Sequence, residues 1–358
     1  MRAVKKELLA FELKVRRREI SDSYQVSEQV IQIFETSLQE ATTAEEVSQI
    51  LNEITNELLS HFKNNIMITN ICNLVKARLS EEQLATSSST FHPRTQITTA
   101  SKKRARGGGE CEIPRSHSRS FLDMLVIQNP NLNNPADTTL KMRMNEIITS
   151  MKDNLGVSYD SIAKQAPNFL FSHDKILTLG YSNSIINFLS ARHAGITVFV
   201  PERAPEYDGI QMAESLRRNK VNVVVIPDSA VFAILPKINK IIIPVFAVLA
   251  NGGVVSYSLS HSVALAAKHY AKPFIALYWS MKLTDSMPTR GKNFTTLHQP
   301  NQIMSKVDPT SSNVVALNVE GDYIPPDLIT LLINEEGAHC PADVFSLVRQ
   351  VYEEPTGM

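Results

Sequence analysis

The sequence predicts an α/β protein, helical in its first part and a doubly wound, mainly parallel sheet in its second. Three observations lead there. Apolar residues recur at the three-and-four spacing of helix faces as far as Met151. From Lys175 the pattern changes to short apolar runs without strict alternation, as in strands covered on both faces. Amphipathic stretches of helical length separate those runs, so strand and helix alternate.

The helical part is expected to occupy residues 1–172. Val26, Val30, Ile31, Phe34 and Leu38 form one stripe; Val47, Ile50, Leu51, Ile54, Leu58 and Leu59 form the next. Thr43 stands three residues before Glu46, a capping-box pattern where the second helix should begin. Both stripes read as core faces, not as cofactor-binding surfaces. Periodicity collapses at about 82–120, a stretch containing Ser87-Ser88-Ser89, the basic run Lys102–Arg106 and Gly107-Gly108-Gly109. It has too little apolar surface to offset the entropy of ordering, so a disordered insert is predicted. The basic run reads as a solvated linker; a nuclear-import signal or nucleic-acid contact is the alternative, although no aromatic residues for base stacking accompany it. Helical spacing resumes after Phe121 and runs through Leu140, Met144, Ile147, Ile148 and Met151.

The second domain, residues 173–358, is expected to be Rossmann-like. Its strand candidates are Ile176–Leu179, Thr197–Val200, Val221–Ile226, Ile241–Ile243, Phe274–Leu277 and Val314–Leu317. Ser184–His193, Gln211–Asn219 and Ser262–Tyr270 are the helices between them.

Lys+Arg and Asp+Glu both number 36 in 358 residues, so no global field draws the chain to nucleic acid or an anionic membrane. The opening segment Met1–Glu19 is charged throughout, unlike a signal peptide. The longest apolar stretch, Ile241–Ala250, is about half the ~20 residues of a spanning helix. Cys72, Cys111 and Cys340 are too few and too scattered for a disulfide framework or a zinc site. These features suit a reducing cytosol. Cys72 and Cys340 are expected in cores, and Cys111 in the linker is expected to be the reactive thiol.

In such sheets ligands bind outside the carboxyl ends of the strands, so chemistry belongs in the loops at 180–183, 202–205, 227–229 and 249–253. None carries the GxGxxG, P-loop or GxSxG spacing. Asp228-Ser229 reads as an N-cap for the helix that follows, or as a ligand contact. Asn251-Gly252 is a turn signal. The histidines lie apart, in no metal motif, so neither a metal nor a cofactor is implied.

These loops also carry a resemblance. Ile176-Leu177-Thr178, Val200-Pro201-Glu202, Pro205, Gly209, Pro227-Asp228-Ser229-Ala230, Leu249-Ala250-Asn251-Gly252 and Asp322-Tyr323-Ile324-Pro325-Pro326 occur in the order of a known family. It joins the alpha, beta and delta subunits of initiation factor 2B with sugar-phosphate isomerases such as methylthioribose-1-phosphate isomerase. The resemblance covers Lys175–Val351 and is closest to beta-type subunits, through Thr178–Ser182, Val231–Ile234, Ala264–His269 and Asp322–Leu332. Relative to the isomerases, Gly180 stands where they carry a catalytic cysteine and Phe246 where they carry the catalytic aspartate. Ala204-Pro205 replaces an Arg-Pro pair, Asp208-Gly209 a Gln-Gly pair, and Tyr257 a lysine. Neither glycine nor phenylalanine can exchange a proton, and the cations that grip phosphate are gone.

The resemblance therefore implies a vestigial pocket at Thr178, Gly180, Ser182, Asp228, Phe246, Asn251, Gly252 and Tyr257, empty or filled by side chains. It implies a non-catalytic regulatory subunit of the exchange factor for initiation factor 2. Its partners would be the alpha, gamma, delta and epsilon subunits of initiation factor 2B, and initiation factor 2 through its alpha subunit, whose phosphorylation it would sense. A sugar-phosphate isomerase is the alternative, resting on the retained Asp228 and Asn251-Gly252 loops; an alpha-like or delta-like sister subunit is a third reading. Asp322, Tyr323, Pro325 and Pro326 are candidate subunit-interface residues, or an ordinary structural turn. Lys141 and Arg143 are candidate cations for the phosphorylated partner, or part of a solvated helix face.

Overall fold

The computed structural model describes residues 2–88, 136–288, 297–303 and 315–352, apart from positions 18, 21, 42, 63–64, 193–194 and 299. Five helices come first: α1 (Arg2–Arg16), α2 (Ser23–Glu40), α3 (Ala44–His61), α4 (Ile66–Ser88) and α5 (Ala136–Phe169). The predicted stripes are their inner faces, with Val30, Ile31, Phe34 and Leu38 of α2 against Val47, Leu51 and Leu58 of α3. Thr43 and Glu46 form the capping box reciprocally, at 3.3 Å each way.

The boundary of the predicted insert needs correcting. Position 82 does not end the helix: α4 continues to Ser88. Glu81, Glu82, Gln83, Leu84 and Ala85 are good helix formers, and tertiary contacts hold this end. Gln83 reaches Ser48 of α3 at 2.9 Å, and Glu82 pairs with Arg143 of α5. The remainder of the predicted insert, Cys111 and the segment up to Pro135 lie outside the described residues.

Helix α5 packs on α2, α3 and α4 and also on α6 (Asn183–Ser190), so it belongs to both halves. Between α5 and the first strand, Lys240 closes the junction. Its ammonium lies 2.8 Å from Asp174 and 2.6 Å from the Phe169 carbonyl, over the Phe171 ring.

The seven-stranded sheet contains β1 (Lys175–Leu177), β2 (Thr197–Pro201), β3 (Asn222–Ile226), β4 (Lys240–Pro244), β7 (Phe274–Leu277), β12 (Leu331–Ile333) and β13 (Ala338–His339). The order is β13-β12-β7-β4-β1-β2-β3, and only β13 runs antiparallel. The chain leaves β1 first towards β2 and later towards β4, which creates the switch point expected of a doubly wound fold. Helices α6, α7 (Asp208–Arg218), the single turn α8 (Val231–Ile234) and α9 (Ser260–His269) link the strands; α10 (Val344–Tyr352) follows β13.

Two further expectations are corrected, and a second sheet is added. Val315, Ala316 and Leu317 form no strand, and Val315 and Leu317 are exposed. The strand beside β7 is instead Leu331–Ile333, fixed by Thr330, whose N–H donates to the Phe274 carbonyl and whose hydroxyl accepts the Phe274 N–H. Apolar character alone did not decide between the two segments; these hydrogen bonds do. The apolar run 241–250 splits at Val245-Phe246 and feeds two sheets. Its second half enters an unpredicted four-stranded sheet, order β11-β6-β5-β8, made of β5 (Ala247–Leu249), β6 (Val254–Tyr257), β8 (Leu283–Thr284) and β11 (Gly321–Ile324). Finally, Cys340 is exposed, just before the turn Pro341–Asp343, whereas Cys72 is buried in the helical core and burial pushes its thiol up to about 12. No described helix is long and apolar enough to cross a membrane.

Candidate functional site

The loops at the carboxyl ends of β1, β2 and β3 converge on the β5–β6 hairpin. Thr178, just after β1, donates its N–H to the Phe199 carbonyl at 3.0 Å; its buried hydroxyl has no partner among the described residues. Gly180 is in the left-handed region at φ +64°. A Cβ there would lie 2.4 Å from Cδ2 and Cε2 of Tyr257. The Tyr257 ring therefore occupies the space that a side chain at position 180 would need.

Three contacts fix that ring. Its hydroxyl donates to the Tyr181 carbonyl at 2.6 Å, Phe246 meets it edge-on at 4.7 Å between centroids, and the Arg203 guanidinium lies 4.7 Å from its centre. Burial, and then the Asp208 carboxylate, hold the Tyr257 phenol well above its ordinary range. Phe246 and Tyr257, both expected to line the pocket, thus pack against each other beside Gly180.

Arg203 escaped the sequence reading. Position 204 is alanine, as the sequence reading noted against the isomerases, but Arg203 beside it places a buried guanidinium at the site and forms a bidentate pair with Asp208, both contacts 2.6 Å. The signal available was an Arg five residues before an Asp that opens a helix. Arg203 and Tyr207, at φ 56° and 54°, occupy a left-handed conformation uncommon for non-glycine residues.

Asp228 holds this strained loop. Its two oxygens accept the N–H groups of Arg203 and Ala204, each at 2.8 Å. This corrects the N-cap reading, since Ala230 occupies the cap position of α8 and no side chain caps that helix. Asp228→Ala leaves both N–H groups without an acceptor and is expected to cost about 2 kcal/mol, with Asp228→Asn near half of that. Urea unfolding midpoints at a common slope check the order.

Ser182 takes the N-cap position of α6 without a side-chain cap bond. Asn251 and Gly252 form the β5–β6 turn: Asn251 accepts the Gly253 N–H at 3.0 Å, and Gly252 sits at φ +81° against the Pro341 backbone. Asn251 also donates to the Tyr323 hydroxyl at 2.8 Å, which joins the pocket to the expected interface segment. Asp322 accepts the His261 N–H at 3.4 Å near the start of α9, and half-buried Pro325 and Pro326 lead into a short 3-10 turn.

Lys141 and Arg143 lie apart from these loops, on α5. Lys141 donates to the Ala41 carbonyl at the end of α2, and Arg143 pairs with Glu82. Both cations therefore tie α5 to the rest of the helical bundle.

The family model for the Initiation factor 2 subunit family matches residues 19–341. The Dictyostelium discoideum protein named translation initiation factor eIF2B subunit beta is 32% identical over 217 residues, 60% of this chain and 56% of that protein. The match thus spans little more than half of that relative's length. The Schizosaccharomyces pombe protein of the same name is 30% identical over 302 residues, 78% of this chain and 75% of the relative. Among solved structures, eIF2B beta from Chaetomium thermophilum superposes with a TM-score of 0.66 at 16% identity, covering 98% of this chain and 93% of that one. The 5-methylthioribose 1-phosphate isomerase of Pyrococcus horikoshii superposes with 0.61 at 13% identity, covering 96% and 87%. At those identities the superpositions establish the shared fold alone, with eIF2B beta and with the isomerase alike. On the family model and the relatives in sequence, the chain belongs to the Initiation factor 2 subunit family.

Proposed function

We propose that the chain is a non-catalytic regulatory subunit of the guanine-nucleotide exchange factor for translation initiation factor 2. On this reading it works in the cytosol, docks that factor's alpha subunit and slows exchange when the alpha subunit is phosphorylated. The observation that carries the reading is the Tyr257 ring packed over Gly180. It occupies the family's pocket at the point where an isomerase needs a proton-transferring side chain. Asp228, the carboxylate that kept the isomerase alternative open, uses both oxygens to hold backbone N–H groups.

The solved tetramer of beta and delta chains from C. thermophilum supports a hetero-oligomer with a delta-type subunit; alpha, gamma and epsilon subunits complete the proposed set. For the subunit contact we propose the half-buried stretch Asp322, Tyr323, Pro325 and Pro326; Asp322 and Tyr323 pair with β6, and the Asp322 carboxylate accepts the His261 N–H at the start of α9. For the phosphate contact we propose Arg143, with the incoming phosphate taking the place of Glu82. Lys141, held by the Ala41 carbonyl, serves the bundle.

Affinity purification of the tagged chain from its own cytosol, with quantitative mass spectrometry, tests the reading. The expected result is four other exchange-factor subunits in equal amounts, together with initiation factor 2. A chain that elutes alone and turns over methylthioribose 1-phosphate overturns it.

A further inference from the structure

The two edges of the large sheet are built differently. One ends on β13, which is two residues long and antiparallel to its neighbour. The other ends on β3, five residues in unbroken register with β2 from Thr197 opposite Asn222 to Pro201 opposite Ile226. No bulge, proline or charged residue interrupts Val223–Ile226. Those are the devices that ordinarily keep an edge from pairing, and their absence marks this edge as one that is covered.

The backbone geometry defines what covers it. The Glu202 N–H donates to the Ile226 carbonyl at 2.9 Å, so Ile226 faces β2. By alternation Asn222 and Val224 face β2 as well, while Val223 and Val225 turn their N–H and C=O groups away from the sheet. Val224 and Val225 are 40% and 47% exposed, on opposite faces of the strand. Half-buried Phe199, cross-strand from Val224, extends the apolar face. Near the start of β3 the exposed side chains of Arg217 and Lys220 have no carboxylate partner among the described residues, whereas Arg218 reaches Glu214 at 3.7 Å.

We infer that the β3 edge takes an extended segment of another protein chain as an eighth strand. The segment carries β-branched apolar residues against Val224 and Val225, and a carboxylate at the end beside Arg217 and Lys220. Backbone pairing at Val223 and Val225 supplies affinity, while the alternating side chains and the charged end supply selection. This surface is separate from the Tyr257 pocket and does not depend on the exchange-factor reading.

The test is amide hydrogen exchange on the full chain, purified alone and in its native assembly. The Val223 and Val225 amides are expected to exchange about 100-fold more slowly in the assembly. Val225→Pro removes an outward N–H while sparing the β2 ladder, and is expected to lower recovery of the strand donor about tenfold or more with unchanged circular dichroism. Val224→Lys, which leaves the backbone alone, should give the same loss, as should Arg217→Glu combined with Lys220→Glu. Equal exchange in both states, normal assembly of these variants, or a chain recovered without any partner overturns the proposal. Protection that grows with the concentration of the chain alone would identify a second copy as the occupant and equally overturn it.

Discussion

Gly180→Cys is expected to destabilise the protein by about 3 kcal/mol or more and to restore no isomerase turnover. The first part of the cost is conformational, since a residue with a Cβ at φ +64° costs about 1–2 kcal/mol in the left-handed region. The second is steric. The new Cβ would lie 2.4 Å from the Tyr257 ring, which its hydroxyl bond to Tyr181, the Phe246 edge and the Arg203 cation hold in place. Overpacking of this kind adds roughly 1–3 kcal/mol. Tyr257→Ala alone empties the space and is expected to cost about 3 kcal/mol. The double variant distinguishes a packed wall from mere proximity. If the ring is the obstacle, the two losses fall short of additivity by about 1.5 kcal/mol, because the clash disappears with the ring. Urea unfolding of the four proteins measures this, and strict additivity would remove Tyr257 as the wall of the pocket. Isomerase turnover of the double variant, with cysteine restored and space reopened, would also remove it.

The fold was legible where a residue's role follows from local spacing. The stripes of α2 and α3, the Thr43–Glu46 box and the non-alternating strands β1, β2, β4 and β7 all depend on periods of a few residues. Features that depend on distant partners were not legible. Nothing within 314–317 says that Thr330 will hold the following segment beside β7 instead. Helix α4 outlasts its periodicity because Ser48 and Arg143, remote in sequence, bind its last turns. At the site, the resemblance singled out Phe246 and Tyr257 among the pocket residues, and their rings meet. Arg203 was missed because it sits one residue from the place where a cation was sought. Asp228 was read as a cap because its sequence context allows one; its backbone partners, 24 and 25 residues earlier, appear only once β2 and β3 are paired.

The junction between the helical bundle and the sheet contains a second such arrangement, and it predicts how stability depends on pH. Lys282 is buried, with its ammonium 2.6 Å from the Val245 carbonyl and 4.5 Å from the centre of the Trp279 ring, which Tyr24 of α2 and Tyr159 of α5 flank. Burial lowers Lys282 to about 8, against attraction from Asp22 and Glu335. Glu335, whose carboxylate accepts the N–H and hydroxyl of Ser280, is raised to about 7, again chiefly by burial. The signs follow from proton binding. Between about 4.5 and 7 the folded state holds a proton on Glu335 that the unfolded state has lost, so stability falls as pH rises through that window. Between about 8 and 10.5 the unfolded state holds the Lys282 proton that the folded state has released, so this group's contribution rises with pH. Each limb amounts to about 3 kcal/mol when complete. Above pH 9 the Cys72 thiol and the buried tyrosines, all raised, act in the opposite direction, so the rise is visible in the parent protein only near pH 8–9. Variants isolate the two groups. Glu335→Gln is expected to flatten the decline between pH 5 and 7. Subtracting the Lys282→Met curve from the parent curve cancels the thiol and phenol contributions and should leave the rising limb alone. Urea midpoints across pH 5–10 provide the measurement. A Glu335→Gln curve that still declines from pH 5 to 7 would show that the carboxylate is solvated in the folded protein, and that the junction stays dry only around Trp279 and Lys282.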